Sequence, residues 1–329
     1  MSQNSNETPG GNIKQGDANG FSIGELLKKR GVSRRDFLKF CSTLTAAMAL
    51  PATVAPDLAR ALDTINRPAL IWMNFQSCTG DSEALLRSAN PTVAEIVLDI
   101  LSVDYQETIM AASGFQAEAA LDKSIAENKG KYICIVEGSI PMKDGGVYSC
   151  GGGKSHLELA RQVCGNAAVT IAIGTCASFG GIAAAKPNPT GAVGIKVAVP
   201  GAKVINLSGC PANADNLTAT IVHYLVFGKA PALDEFNRPL FAYGKKVHDV
   251  CERRSFFHDK KFVLAWGDEF HSQGYCLYKV GCKGTVVYHN CPTQRYNEKT
   301  SWPVAAGAGC KGCSEPDFWD GLKTMELEN

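Results

Sequence analysis

Six cysteines and a histidine crowd the C-terminal quarter of the chain: His248, Cys251, Cys276, Cys282, Cys291, Cys310 and Cys313. Cys78, Cys176 and Cys210 lie upstream, far apart from one another. Thiolates are the usual ligands of iron–sulfur clusters, and imidazole can replace one of them. Nine cysteines and one histidine at these spacings ask for three clusters, and three clusters in one chain make a path for electrons. The competing reading of a chain with thirteen cysteines is a disulfide framework. However, 329 residues with 45% hydrophobic content can bury a core without such staples. The net charge of +1 and the lack of a basic stripe give no support to a nucleic-acid partner.

The first sixty residues do not read as fold. Residues 1–32 are polar and rich in Gly, Asn, Ser and Gln. Ser33-Arg34-Arg35-Asp36-Phe37-Leu38-Lys39 follows, with the Arg34 and Arg35 pair of a twin-arginine export signal. An apolar stretch runs from Phe40 to Val54, and Ala59-Arg60-Ala61 fits the small-residue cleavage rule. The expected leader is therefore 1–61, and the expected destination is the periplasm by way of the twin-arginine translocase. That route moves folded proteins, so a metal cofactor can be inserted before export. Beyond the leader no apolar run is long enough to span a bilayer.

The elements that must position the ligands come next. From 62 to about 230 short apolar runs alternate with helical stretches. Ala69–Phe75, Tyr132–Glu137, Val169–Gly174 and Lys203–Leu207 are expected as strands, with a further one near Tyr105–Met110. Helices are expected over Pro91–Leu101, Ala117–Asn128, Ser155–Val163 and Asn213–Phe227. Such alternation means a parallel sheet with helices on both faces, the α/β class to which flavodoxin-like domains belong. From 231 to 329 periodicity fades while Pro, Gly and Cys accumulate, so cofactors must replace part of the missing core.

Cys78, Cys176 and Cys210 each follow an expected strand. The C-terminal ends of the strands in an open parallel sheet line one crevice, so the three thiols should converge there. A fourth donor is needed. In Cys78-Thr79-Gly80-Asp81 the second place of a Cys-x-x-Cys pair is taken by Asp81. A carboxylate can ligate iron, although it is a harder donor than thiolate. The alternative role for Asp81 is capping the helix that follows. Gly151-Gly152-Gly153-Lys154-Ser155 lacks the first glycine of a phosphate loop, since Tyr148 stands there. Cys134 and Cys164 read as core, and His289 reads as a surface or packing residue.

Taken together, these segments resemble the small subunit of nickel–iron hydrogenases. The matching stretches are Ser77–Glu83, Glu137-Gly138-Ser139-Ile140-Pro141, Gly174-Thr175-Cys176-Ala177, Gly209-Cys210-Pro211, Cys251-Glu252-Arg253-Arg254 and the run from Cys310 to Trp319. The resemblance implies that Cys78, Asp81, Cys176 and Cys210 hold a proximal 4Fe–4S cluster. It implies that His248, Cys251, Cys276 and Cys282 hold a distal 4Fe–4S cluster. Cys291, Cys310 and Cys313 would hold a medial 3Fe–4S cluster, with Pro303 filling the fourth position. The implied partners are a hydrogenase large subunit, which holds the nickel–iron centre, and a cytochrome or quinone-linked acceptor. Gly80 and Gly181 stand where oxygen-tolerant relatives carry extra cysteines, so a 4Fe–3S proximal cluster is not implied. Two other readings are a stand-alone exported electron carrier and a hydrogen sensor, and the export signal argues against the sensor.

Overall fold

The computed structural model describes residues 22–29, 31–65, 67–88 and 101–321. The helix expected over 91–101 lies outside them except for its last residue.

Five parallel strands form the central sheet: β1 Ala69–Asn74, β2 Ser102–Gln106, β3 Ile133–Glu137, β4 Val169–Ile173 and β5 Val204–Leu207. Their spatial order is β2-β1-β3-β4-β5, the flavodoxin-like doubly wound order. Four of these strands coincide with the apolar runs to within a residue or two. β2 begins earlier than the Tyr105–Met110 expected. The side-chain carbonyl of Gln106 accepts from the backbone N–H groups of Thr108 and Ile109, which turns the chain out of the sheet after Gln106.

Because side chains alternate across a strand, the sheet feeds two cores. Trp72, Ile135, Ile171 and Ile205 face one core, where the helix Ala214–Phe227 packs. Ile71, Met73, Cys134 and Val136 face the other, with the helices Phe115–Glu127 and His156–Gly165. Helix starts follow local chemistry. Asn213 caps the first of these helices by accepting from the N–H groups of Asp215 and Asn216. Ser155 and Glu158 form a capping box on the last. Cys134 and Cys164 are buried with their sulfurs 3.8 Å apart. The glycine-rich run forms a hairpin turn between Cys150–Gly151 and Lys154–Ser155, with Gly152 and Gly153 at φ of 55° and 80°.

The segment expected to be the leader is helical over Arg34–Ala47 and Ala55–Thr64. Its Leu44 and Leu58, and Leu62 just past its expected end, join the core cluster that contains Leu225 of the helix Ala214–Phe227. Arg34 and Arg35 stand exposed at the helix start, where Ser33 accepts from the N–H of Asp36. Among the described residues no helix is long and apolar enough to cross a membrane.

Among the described residues after Lys229 the α-helices are single turns, such as Leu240–Tyr243, Arg254–His258 and Cys291–Gln294. A third, smaller core holds Val247, Val263, Leu277, Val287, Trp302 and Val304. Cys251, Cys282, Cys291 and Cys310 pack against it. This region is stitched to the sheet by paired amide bonds between Asn216 and Asn290, at 2.8 and 3.0 Å. The hydroxyl of Ser208 also donates to the carbonyl of Ser314 at 2.7 Å.

Candidate metal centres

Three strand ends deliver the upstream cysteines to one edge of the sheet. Cys78 follows β1, Cys176 lies in the short helix Gly174–Phe179 directly after β4, and Cys210 follows β5. Asp81 comes with them. It sits in the first turn of the helix Gly80–Leu86 and is 8% exposed. It does not cap that helix: Thr79, at φ 63°, holds the cap position, and its own side chain makes no capping bond. Instead the Asp81 carboxylate accepts the N–H of Ala212 at 2.7 Å, two residues beyond Cys210.

Close approach explains two glycines. A Cβ on Gly174, at φ 79°, would lie 2.0 Å from Asp81 Oδ2. A Cβ on Gly181, at φ 58°, would lie 2.4 Å from Cys176 Sγ.

The crevice gathers acidic side chains. Burial lifts the Asp81 carboxyl to about 7, against the Ala212 N–H, and Glu137 adds to the rise. Burial lifts the Cys176 thiol to about 11, with further pressure from Asp81 and Cys78. Cys210 rises to about 12 through partial burial and then through Cys313, Cys176, Asp81 and Cys78. Each group makes its neighbours harder to ionise, and a bound polynuclear iron centre would reverse that balance. The donor set therefore fits a cluster.

Glu137, at the end of β3, carries no expected role from the sequence beyond its place in a matching stretch. It is 1% exposed, and its carboxylate accepts from Ser77 Oγ at 2.9 Å, Asp81 N at 3.1 Å, Ser82 N at 3.0 Å and Ser82 Oγ at 2.6 Å. These bonds fold the Cys78 loop over the strand ends. The available signal was an acid closing an otherwise apolar strand.

The second group forms around the short turn Val247–Val250, which carries His248 and is followed at once by Cys251. His248, Cys251, Cys276 and Cys282 line one small cavity together with Val247, Leu277 and Val304. Burial raises Cys251 to about 11, opposed by the Arg253 N–H and reinforced by Cys282 and Cys276. Burial lowers His248, as does the nearby Arg254, so the imidazole is a neutral donor.

The third group, Cys291, Cys310 and Cys313, lines a cleft of about 680 Å³ together with Cys210, Trp302 and Pro303. Burial raises all three thiols, Cys310 to about 12. His289, expected at the surface or in packing, is 2% exposed with Nδ1 2.8 Å from Cys291 Sγ. Burial, then the Arg238 guanidinium, hold its ring at about 3 and therefore neutral.

The three groups touch in order. Thr175, beside Cys176, donates its hydroxyl to the carbonyl of Cys313. The N–H of Cys310 donates to Cys282 Sγ at 3.3 Å. The chain thus steps from the sheet edge through Cys313 and Cys310 to the His248 group. No disulfide joins any of the thirteen cysteines, so the disulfide reading finds no support. Among the described residues no three donors close tightly enough for a single metal ion. A cluster of several irons has its ligands further apart.

Comparison with known proteins gives the family. Residues 243–326 match the model of the C-terminal part of the NiFe/NiFeSe hydrogenase small subunit. Residues 78–224 match that of the NADH ubiquinone oxidoreductase 20 kDa subunit. The chain is 48% identical over 309 residues to the periplasmic [NiFe] hydrogenase small subunit 1 of Nitratidesulfovibrio vulgaris, covering 91% of this chain and 97% of that one. It is 46% identical over 303 residues to the quinone-reactive Ni/Fe-hydrogenase small chain of Wolinella succinogenes, covering 92% and 85%. Among solved structures, the Ni-Fe-Se hydrogenase of Desulfomicrobium baculatum superposes with a TM-score of 0.73 at 30% identity, over 79% of this chain and 98% of that one. The chain belongs to the small subunits of the nickel–iron hydrogenases.

Proposed function

We propose that this small subunit relays electrons from hydrogen oxidation at the nickel–iron centre of its large-subunit partner to an acceptor outside the pair. Cys78, Asp81, Cys176 and Cys210 would hold the proximal 4Fe–4S cluster. Cys291, Cys310 and Cys313 would hold a medial 3Fe–4S cluster. His248, Cys251, Cys276 and Cys282 would hold the distal 4Fe–4S cluster. When bound, such clusters supply one-electron carriers.

The observation that carries the reading is the unbroken sequence of contacts from Thr175 to Cys313 and from Cys310 to Cys282. It supports the order proximal, medial, distal. The residues themselves bind and orient. Glu137 holds the first ligand loop, and Trp302 and Val304 bury the far two sites. The neutral imidazole of His248 takes the place of an anionic thiolate, which raises the potential at the exit. The drain would be a cytochrome or a quinone-linked protein, a reading supported by the quinone-reactive name of the Wolinella relative.

The location would be periplasmic, as the names of two relatives have it. Arg34 and Arg35 would address the twin-arginine translocase, and cleavage after Ala61 would leave an α/β domain over 62–230 and a cluster domain over 231–329. The test is hydrogen-dependent dye reduction by the complex drawn from the periplasm through a tag on this chain, with metals assayed on the same sample. The expected result is activity with about one nickel and roughly a dozen irons per complex. Iron without nickel, activity or a large partner would replace this reading with a stand-alone electron carrier.

A further inference from the structure

We propose that His289 is a positioning residue that sets the reduction potential of the medial site by donating its Nδ1–H to the Cys291 thiolate. The inference rests on the reading of Cys291, Cys310 and Cys313 as cluster ligands.

The geometry assigns the proton. Nδ1 lies 2.8 Å from Cys291 Sγ. A thiolate bound to iron has no proton to give, so the imidazole must be the donor. The ring then leaves Nε2 as a bare acceptor, and Nε2 is buried without a hydrogen-bond partner among the described residues. That tautomer is also the one that avoids a buried, unpaired N–H.

The other side-chain group near the sulfur is the Tyr296 hydroxyl, at 3.8 Å. It lies 3.3 Å from the Pro211 carbonyl, the nearer acceptor for its single proton. Around Cys310 and Cys313, by contrast, the donors are backbone N–H groups, of Gly312 for the one and of Cys210 and Cys313 for the other. Cys291 is therefore the medial ligand with an imidazole donor.

The ring is held for the task. Tyr243 meets it edge-on with centroids 5.1 Å apart. The N–H of Tyr288, the preceding residue, donates to Glu315 at 2.6 Å. Glu315 in turn pairs with Arg238 at 3.0 Å, and the Arg238 guanidinium lies 5.0 Å from the Tyr243 ring. A rotation of the His289 ring would break its edge-on contact with Tyr243. A hydrogen bond to a ligand sulfur draws electron density from the cluster and favours its reduced state, so the bond raises the potential.

The test is a redox titration of the purified heterodimer, followed through the electron paramagnetic resonance of the oxidised three-iron cluster. In His289→Leu the reduced-to-oxidised ratio at the wild-type midpoint should fall roughly tenfold, a midpoint lower by about 59 mV for a one-electron couple. His289→Asn, which restores an N–H donor, should recover part of that shift. An unchanged midpoint in His289→Leu, with a signal of wild-type strength, would overturn the inference while leaving the ligand reading intact. Loss of the signal from both variants would also overturn it, making His289 a prop for the ligand loop. A wild-type complex without any three-iron signal would overturn the ligand reading instead.

Discussion

Replacing Glu137 with alanine should loosen both the fold and the proximal site. Four donors converge on this carboxylate: two hydroxyls and the backbone N–H groups of Asp81 and Ser82. The hydroxyls can rotate to other acceptors, and Ser82 Oγ already accepts from Gln106 Nε2 at 3.0 Å. The two backbone groups cannot rotate, and each buried N–H left without an acceptor costs about 1–3 kcal/mol. The sum is roughly 2–6 kcal/mol, a large part of the 5–15 kcal/mol that keeps a typical domain folded. For a domain of about 150–250 residues the lower bound alone corresponds to a melting temperature about 4 °C lower. Because those two N–H groups belong to the turn that carries Asp81, the proximal site should loosen with the fold. Glu137→Gln keeps one carbonyl oxygen and should fall between the two. The assay is thermal unfolding of the heterodimer, with iron content and the low-temperature spectrum of the proximal site taken on the same samples. A Glu137→Ala complex with wild-type melting and a wild-type proximal spectrum would show that the carboxylate is dispensable, and the reasoning would fail.

Other outcomes follow from the same geometry. If Asp81 ligates the proximal cluster, Asp81→Ala should alter its spectrum; full iron content with an unchanged spectrum would exclude ligation. His248→Ala should slow dye reduction at least several-fold while sparing hydrogen–deuterium exchange, since His248 is placed at the exit end; equal losses in both assays would contradict that placement. Gly181→Ala should destabilise by roughly 1–3 kcal/mol, because its Cβ would meet Cys176 Sγ at 2.4 Å and its φ is 58°; denaturant midpoints measured on the complex check this. Arg34→Lys with Arg35→Lys should leave the protein in the cytoplasm, read by fractionation, since the pair stands exposed for recognition.

Much of the architecture was legible in the residues. Continuous apolar runs such as Ile133-Cys134-Ile135-Val136 read as strands buried on both faces, because only a covered parallel sheet has no solvent side to mark. Strand β2 was misplaced because its end is set by a side chain turning back on its own backbone, which periodicity does not register. Cys78, Cys176 and Cys210 could be brought together on paper, since parallel topology sends every strand end to the same edge.

What the sequence by itself determined was the inventory of donors, the strand order class that gathers three of them, and the membership that short motifs in fixed order carry. Tertiary structure alone decided the rest. It turned Asp81 from a possible helix cap into a buried acid against Ala212, and Glu137 into the anchor of a ligand loop. It brought His289 within 2.8 Å of Cys291 Sγ and joined Cys310 to Cys282 across 28 residues. The physical reason is that donor chemistry and hydrophobic period are local properties of the chain. Burial, hydrogen-bond direction and the distance between two sulfurs depend on segments far apart in sequence, and only the packed chain settles them.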